Sequence, residues 1–290
     1  MPDKDTRKVV LITGGTDGLG KAAAILLAER GYRVIAAGRS AAKRDELGAY
    51  AKSRSLPLTT VELDVCGDAS VNAAIQRVLA EYGHIDVLVN NAGVGYMAVV
   101  EELKMEDLKQ QFETNLFGVL RVTQAVLPGM RVRRSGRIVM LSSVAGLVTP
   151  PTYGAYSSSK HALEGLSNAL RVELYPFRIA VILIEPGYIR TNFQQTATDL
   201  AQPYAESAKQ SPYAKIYEGA WASANQQRSG SKTSPQDCAR VILHSIETSN
   251  PLPRYGVTPT ATLVKWAKRL LSDRMADAML RRRFGIMRQA

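Results

Sequence analysis

The chain has 290 residues, 46% of them hydrophobic, enough for one large domain with a substantial core. Its formal net charge is +11, but residues 260–290 hold eight Lys or Arg against Asp273 and Asp277, so the basic character belongs mainly to a tail. No apolar run approaches the ~18 residues of a spanning helix, the opening MPDKDTRK lacks a secretory apolar core, and Cys66 and Cys238 stand isolated.

These features lead us to expect neither a membrane-spanning helix nor a disulfide framework, and a reduced, cytoplasmic setting. His84, His161 and His244 do not cluster, and no metal site is expected. No nucleic-acid recognition motif accompanies the charge, so a nucleic-acid partner is not expected either.

Strand and helix patterns alternate from the start. Residues 9–12 form a continuous apolar run, the mark of a parallel strand buried on both faces. A Gly-rich turn leads into a helix over 19–30, ended by Gly31. A second strand over 32–37, a helix over 41–52, a third strand over 58–63 and a helix over 69–82 follow. The fourth strand, 85–89, runs into Asn90-Asn91-Ala92-Gly93. A helical region over 103–127 is broken by Pro128-Gly129, and 137–141 is the fifth strand. Beyond Pro150-Pro151, Ala162, Leu163, Leu166, Ala169, Leu170 and Leu174 recur at helical spacing until Pro176. The sixth strand is 179–184, closed by Pro186-Gly187. This series predicts an α/β fold over 1–258: one Rossmann-type, doubly wound parallel sheet with helices on both faces. Residues 188–232 read as a lid and 259–290 as a basic, amphipathic helical extension.

The turn Thr13-Gly14-Gly15-Thr16-Asp17-Gly18-Leu19-Gly20 lies between the first strand and the first helix. Glycines there permit a tight turn and let a pyrophosphate approach the backbone, and the helix N-terminus offers unpaired N–H groups. The second strand ends in Gly38-Arg39, where an NAD site of this fold places an acidic residue for the adenosine ribose. A missing acid followed by Arg39, able to grip a 2′-phosphate with two charge-assisted bonds, favours NADPH over NADH.

Tyr156 and Lys160 are four apart on one helix and share a face. A neighbouring ammonium lowers a phenol's pKa and suits it to proton transfer on an alcohol or carbonyl. Ser143 lies thirteen residues before Tyr156, just past the fifth strand, with Ser142 as its neighbouring rival. Tyr153 has no base four positions on and reads as pocket wall.

These motifs, in this order over roughly the first 250 residues, resemble the short-chain dehydrogenase/reductase family. The stretch from Leu163 to Glu173, with Pro176-Phe177 after it, looks like the family's hydroxysteroid and retinol dehydrogenase side. The resemblance implies Asn115, Ser143, Tyr156 and Lys160 as the catalytic set. Ser143 would hold the substrate oxygen, Tyr156 would transfer the proton, Lys160 would also bond the nicotinamide ribose, and Asn115 would hold a water joining Lys160 to solvent. It implies cofactor contacts from Gly14, Thr16, Asp17, Gly18, Leu19, Gly20 and Arg39. In this family NADP-type members often carry a base at the position of Asp17, which counts against the preference for NADPH. Asp64 and Val65 would lie at the adenine, Asn91, Ala92 and Gly93 beside the ribose, and Pro186, Gly187, Ile189 and Thr191 at the carboxamide. The helices over 103–127 and 156–175 resemble those that pair in family dimers, so a homodimer or homotetramer is expected.

The lid carries Tyr188, Phe193, Tyr204, Tyr213, Tyr217 and Trp221, which suits an apolar carbonyl or alcohol such as a steroid, retinoid or fatty carbonyl. Equally, these rings can anchor the lid to the body. Competing readings are a non-catalytic NADP-binding regulator, opposed by the complete Asn–Ser–Tyr–Lys set, and a sugar-nucleotide epimerase or dehydratase, opposed by the glycine spacing. In the tail, Leu263, Trp266, Ala267 and Leu270 share a helical face, and Ser272 can cap a second helix with Met275, Met279 and Leu280. Packing of that face on the body is the favoured expectation, with a membrane-surface contact as the alternative.

Overall fold

The computed structural model describes residues 7–230 and 232–286. The strands are β1 (Val9–Thr13), β2 (Arg33–Gly38), β3 (Leu58–Glu62), β4 (Val87–Asn90), β5 (Gly136–Leu141), β6 (Ile179–Glu185) and β7 (Arg254–Gly256). Among the described residues they form one sheet in the order β3-β2-β1-β4-β5-β6-β7, with every pairing parallel. The order reverses between β1 and β4, and ligands of such sheets bind at the carboxyl ends beside that switch point.

Burial on both faces explains the apolar runs. Val9 and Leu11 enter one core layer, while Val10 and Ile12 enter the other. The first layer is covered by α3 (Asp68–Tyr82), α5 (Gly118–Arg133) and α6 (Gly154–Glu173). The second is covered by α1 (Gly18–Glu29), α2 (Ala41–Ser53) and α9 (Pro235–Glu247). Before α5, α4 (Met105–Phe112) passes through a widened π turn at Glu113–Phe117. Beyond β6, α7 (Asn192–Ser207) and α8 (Ala214–Gly230) occupy the expected lid segment, and α10 (Pro259–Leu270) and α11 (Asp273–Arg283) form the tail.

Three expectations are corrected. Pro128-Gly129 does not end the helix: α5 continues to Arg133, because Pro128 is on the exposed side and the next turn brings Met130 fully into the core. Sequence patterns also missed α9 and β7. The helix α9 starts on a capping box in which Ser234 and Asp237 bond each other's backbone N–H, a signal the sequence carried. The strand β7 is only three residues long, and pairing with β6 defines it.

The third correction concerns the tail. Its apolar stripe is largely exposed: Leu263, Trp266 and Leu270 are 69%, 55% and 78% exposed. The turn of α10 that meets the body carries Ala261, fully buried, with Lys265 half-buried. A small side chain takes the inner face here, and the large apolar side chains are left mostly in solvent.

Candidate active site

A cleft of about 900 Å³ opens along the carboxyl ends of the strands. Its first arm is shaped by main chain. Gly14 takes φ +60° and Gly18 φ +52°, and Asp17 caps α1 by accepting from the Gly18 N–H at 2.7 Å. A Cβ on Gly20 would lie 2.3 Å from the Gly14 carbonyl oxygen and 2.5 Å from Asn91 Nδ2. The Asn91 amide donates to the Thr13 and Gly14 carbonyls, both at 3.0 Å, while Thr13 Oγ1 accepts from the Asn91 and Ala92 N–H groups. Asn90 instead turns into the core and donates to Thr123 at 3.0 Å, so of the two adjacent asparagines Asn91 belongs to the cleft.

At the far end of this arm a Cβ on Gly38 would lie 2.4 Å from Thr16 Oγ1, so any side chain there would have to displace the Thr16 side chain. Arg39, 67% exposed at its side chain, lies 4.0 Å from Asp64. Lys43, which the sequence reading did not single out, lines the same end and forms an ion pair with Asp17. Burial opposes charge on Asp17, but Lys43 and the Gly18 N–H together hold its carboxyl below the usual carboxylate range. A lysine one turn into α2 thus supplies the positive charge that Asp17 displaces from the turn. Asp64 Oδ1 accepts from the Cys66 N–H at 3.0 Å, and Val65 lines the floor.

The middle of the cleft brings Ser143, Tyr156 and Lys160 together. Ser143 follows β5 and caps a short 3-10 turn, accepting from the Ala145 N–H at 3.1 Å. Burial pushes the Tyr156 phenol up to about 12; the Ser143 hydroxyl pulls it down and Tyr153 pushes it further up. Burial also lowers Lys160 to about 8, opposed by Glu164 one turn on. The expected lowering of the phenol by Lys160 is therefore corrected. The Lys160 ammonium donates to the Leu141 carbonyl at 2.6 Å and lies 5.8 Å from the Tyr156 ring, and desolvation dominates both groups. Ser142 is buried beside Ser143, with no hydrogen-bond partner for its hydroxyl among the described residues.

Asn115 does not line the cleft. It is fully buried in the π turn, with its amide oxygen accepting from the Val94 N–H at 2.9 Å and its amide nitrogen donating to the Val94 carbonyl and to Ser159 Oγ. It ties the loop after β4 to the turn of α6 that lies between Tyr156 and Lys160. Gly20 also stands behind the cleft wall. The remaining expected contacts, Thr16, Leu19, Ala92, Gly93, Pro186, Gly187, Ile189 and Thr191 among them, line it. Thr191 caps α7 through a capping box with Gln194, and the next residue, Asn192, donates to Asp17 at 2.9 Å. The start of α7 is thereby fixed to the glycine turn.

The second arm is walled by Val148, Tyr188, Phe193, Ala197, Trp221 and Phe284. Phe193 stacks 5.7 Å from Tyr156, and Trp221 lies 5.7 Å from Tyr217. Three other lid aromatics act as anchors. Tyr217 donates to Glu102 at 2.8 Å and accepts from the Val99 N–H, Tyr204 donates to Asp107, and Tyr213 donates to Glu101. The segment holding these carboxylates also meets the active-site turn, where the Ala98 N–H donates to Thr152 at 2.9 Å and Ala98 pairs with Tyr153. Of the lid aromatics, Tyr188, Phe193 and Trp221 line the cleft, Tyr204 and Tyr213 anchor the lid, and Tyr217 does both. Among the described residues no group of His, Cys, Asp and Glu could hold a metal ion.

The chain matches the family model of short chain dehydrogenase over residues 8–201. A 3-ketodihydrosphingosine reductase of Bacteroides thetaiotaomicron is 35% identical over 280 residues, covering 94% of this chain and 97% of that protein. Retinol dehydrogenase 8 of Bos taurus is 35% identical over 255 residues, 85% of this chain and 80% of that one. A solved short chain dehydrogenase/reductase from Burkholderia phymatum, in complex with NAD, matches with a TM-score of 0.78 at 25% identity over 96% of each chain.

Proposed function

Because this chain belongs to the short-chain dehydrogenase/reductase family, on its retinol and hydroxysteroid dehydrogenase-like side, we propose that it is an NADP(H)-dependent reductase of apolar ketones or aldehydes. The observation that carries this reading is the meeting of Ser143, Tyr156 and Lys160 where a main-chain-built arm joins an aromatic-walled arm. The first arm fits a dinucleotide: a glycine cradle that a Cβ would fill, at the N-terminus of α1, suits a pyrophosphate. Arg39 and Lys43, with no acidic side chain possible at Gly38 without displacing Thr16, favour a 2′-phosphate over a free ribose hydroxyl. The bound nicotinamide would supply the hydride. Lys160 would hold its ribose, and Pro186, Gly187, Ile189 and Thr191 its carboxamide.

With its phenol pushed up to about 12, Tyr156 holds its proton at neutral pH, the form in which it acts as donor in the reduction direction. Ser143 Oγ would donate a hydrogen bond to the substrate carbonyl oxygen, and Tyr156 Oη would deliver its proton to the alkoxide that forms there. Lys160, charged below its value of about 8, would then stabilise the phenolate left behind. Asn115 would act as a positioning residue, keeping the α6 turn in register beneath both groups. The second arm, with α7 and α8 as a lid, suits a ring system or long chain, and the names of the sphingosine and retinol relatives point to the same substrate class. A homo-oligomer is also proposed: Phe117 and Val132 around α5, and Val172 and Tyr175 around the end of α6, are exposed apolar groups on the helices expected to pair.

The test is NADPH consumption over long-chain, retinoid and steroid carbonyls by wild type and Tyr156→Phe. Removing the phenol proton should lower kcat about 10²- to 10⁴-fold with NADPH affinity unchanged. Near-wild-type kcat in Tyr156→Phe would overturn the reading.

A further inference from the structure

The outward surface of the two tail helices is not used by the chemistry above. On α10, Leu263, Trp266 and Leu270 follow helical spacing, and on α11 Met275 and Met279 are four apart and 53% and 60% exposed. Helices of globular proteins turn such a stripe toward their own core. Here Ala261 is the buried residue of α10, and five large apolar side chains on the two consecutive helices are each more than half exposed. Around them the chain is strongly basic: the exposed Arg281, Arg282 and Arg283 close α11, and residues 260–290 hold eight Lys or Arg against two Asp. Immediately after α11, Phe284 is buried against Gly219 of α8 and lines the cleft, as does the half-exposed Trp221 two residues beyond Gly219. The residue that follows the basic end of α11 is thus part of the wall of the substrate arm.

We propose that α10 and α11 form a docking face that seats the protein on an anionic lipid bilayer, with the mouth of the substrate arm turned toward the lipid. An amphipathic basic segment lies in the bilayer interface with its apolar side toward the acyl chains and its cations at anionic headgroups. Charge selects the lipid over a second copy of this chain, since a two-fold pairing of this face would set two like-charged tails together. The purpose of the contact rests on the apolar-substrate reading, because such a substrate is dissolved in lipid; the contact itself does not.

The experiment is co-sedimentation of full-length protein, without substrate, with phosphatidylglycerol–phosphatidylcholine vesicles and with phosphatidylcholine vesicles. It is run at low and high salt on wild type, Leu263→Glu/Leu270→Glu, and Arg281→Gln/Arg282→Gln/Arg283→Gln. Wild type should bind the anionic vesicles, and both variants and high salt should weaken binding about tenfold or more. NADPH affinity should stay unchanged in both variants. Should the Glu variant fail to fold by circular dichroism, the Gln variant, which leaves the apolar stripe intact, decides. Absence of wild-type binding to anionic vesicles at low salt overturns the proposal, as does equal binding by the folded variants. A wild-type dimer that Leu263→Glu/Leu270→Glu converts to monomer, with no vesicle binding, would assign the face to a second copy. Vesicle binding without any ketone reduction would leave docking standing and sink the functional reading instead.

Discussion

The two arms of the cleft are held by different means. At the glycine arm, backbone meets backbone: Gly20 passes the Gly14 carbonyl with no space for a methyl, and the Asn91 amide clasps the Thr13 and Gly14 carbonyls. At the aromatic arm, α7 and α8 hang from residues 98–107 through side-chain pairs, Tyr217 with Glu102, Tyr204 with Asp107 and Tyr213 with Glu101. An arm made of main chain tolerates almost no substitution at its contact points. An arm made of side-chain pairs can be loosened one pair at a time.

The contrast breaks most sharply at Gly20. In Gly20→Ala the methyl would meet Gly14 O at 2.3 Å and Asn91 Nδ2 at 2.5 Å, so the turn and the Asn91 clasp must both open. Overpacking of this kind costs about 1–3 kcal/mol, and here it falls on the cofactor cradle. NADPH affinity measured by calorimetry should drop about 100-fold, with the far-ultraviolet circular dichroism of a folded protein. Wild-type affinity in this variant would show that the turn does not seat the pyrophosphate.

The same contrast explains what was legible in the sequence. Six of the strands could be read: most leave the continuous apolar runs of buried parallel strands, the edge strand β3 alternates, and the residues after their carboxyl ends line the cleft. Lys43 was not legible, because nothing local says that a lysine on α2 reaches back to Asp17. The strand β7 was too short to carry a pattern and exists through its pairing with β6. The tail face was misread because periodicity gives an apolar side but not which side meets the body, and here the small Ala261 takes that place. Asn115 was legible only through the resemblance, and its bonds to Val94 and Ser159 are tertiary facts.

A smaller effect is expected at the outer end of the glycine arm. Arg39 is exposed, so a bond from it to a 2′-phosphate is worth about 1.5–3 kcal/mol at most, and Lys43 remains beside it. Arg39→Asp should weaken NADPH about 10- to 100-fold while NADH is held equally or more tightly. Equal binding of NADPH and NADH by wild type would overturn the preference.

The smallest effect, and the sharpest use of the contrast, lies at Tyr217. Its hydroxyl is pushed up to about 12, first by burial and then by Glu102, while the Val99 N–H pulls the other way, so it stays a donor to that carboxylate at every ordinary pH. Tyr217→Phe keeps the buried ring, 1% exposed, but leaves the Val99 N–H and one Glu102 oxygen without this partner. Such a loss costs about 1–3 kcal/mol, and because Glu102 is only partly buried, the lower end applies. For a chain of this size each kcal/mol lowers Tm by about 2–4 °C. Looser seating of α8 should raise KM for an apolar ketone several-fold while kcat and NADPH affinity stay as in wild type, since Tyr156 and the glycine turn are untouched. Sites more than about 7–10 Å apart with no shared partner add within about 0.5 kcal/mol, so Gly20→Ala and Tyr217→Phe together should give the sum of their separate effects. Non-additive behaviour would mean that the capping of α7 at Thr191 and the Asn192–Asp17 bond transmit strain between the arms, and that the two are mechanically one.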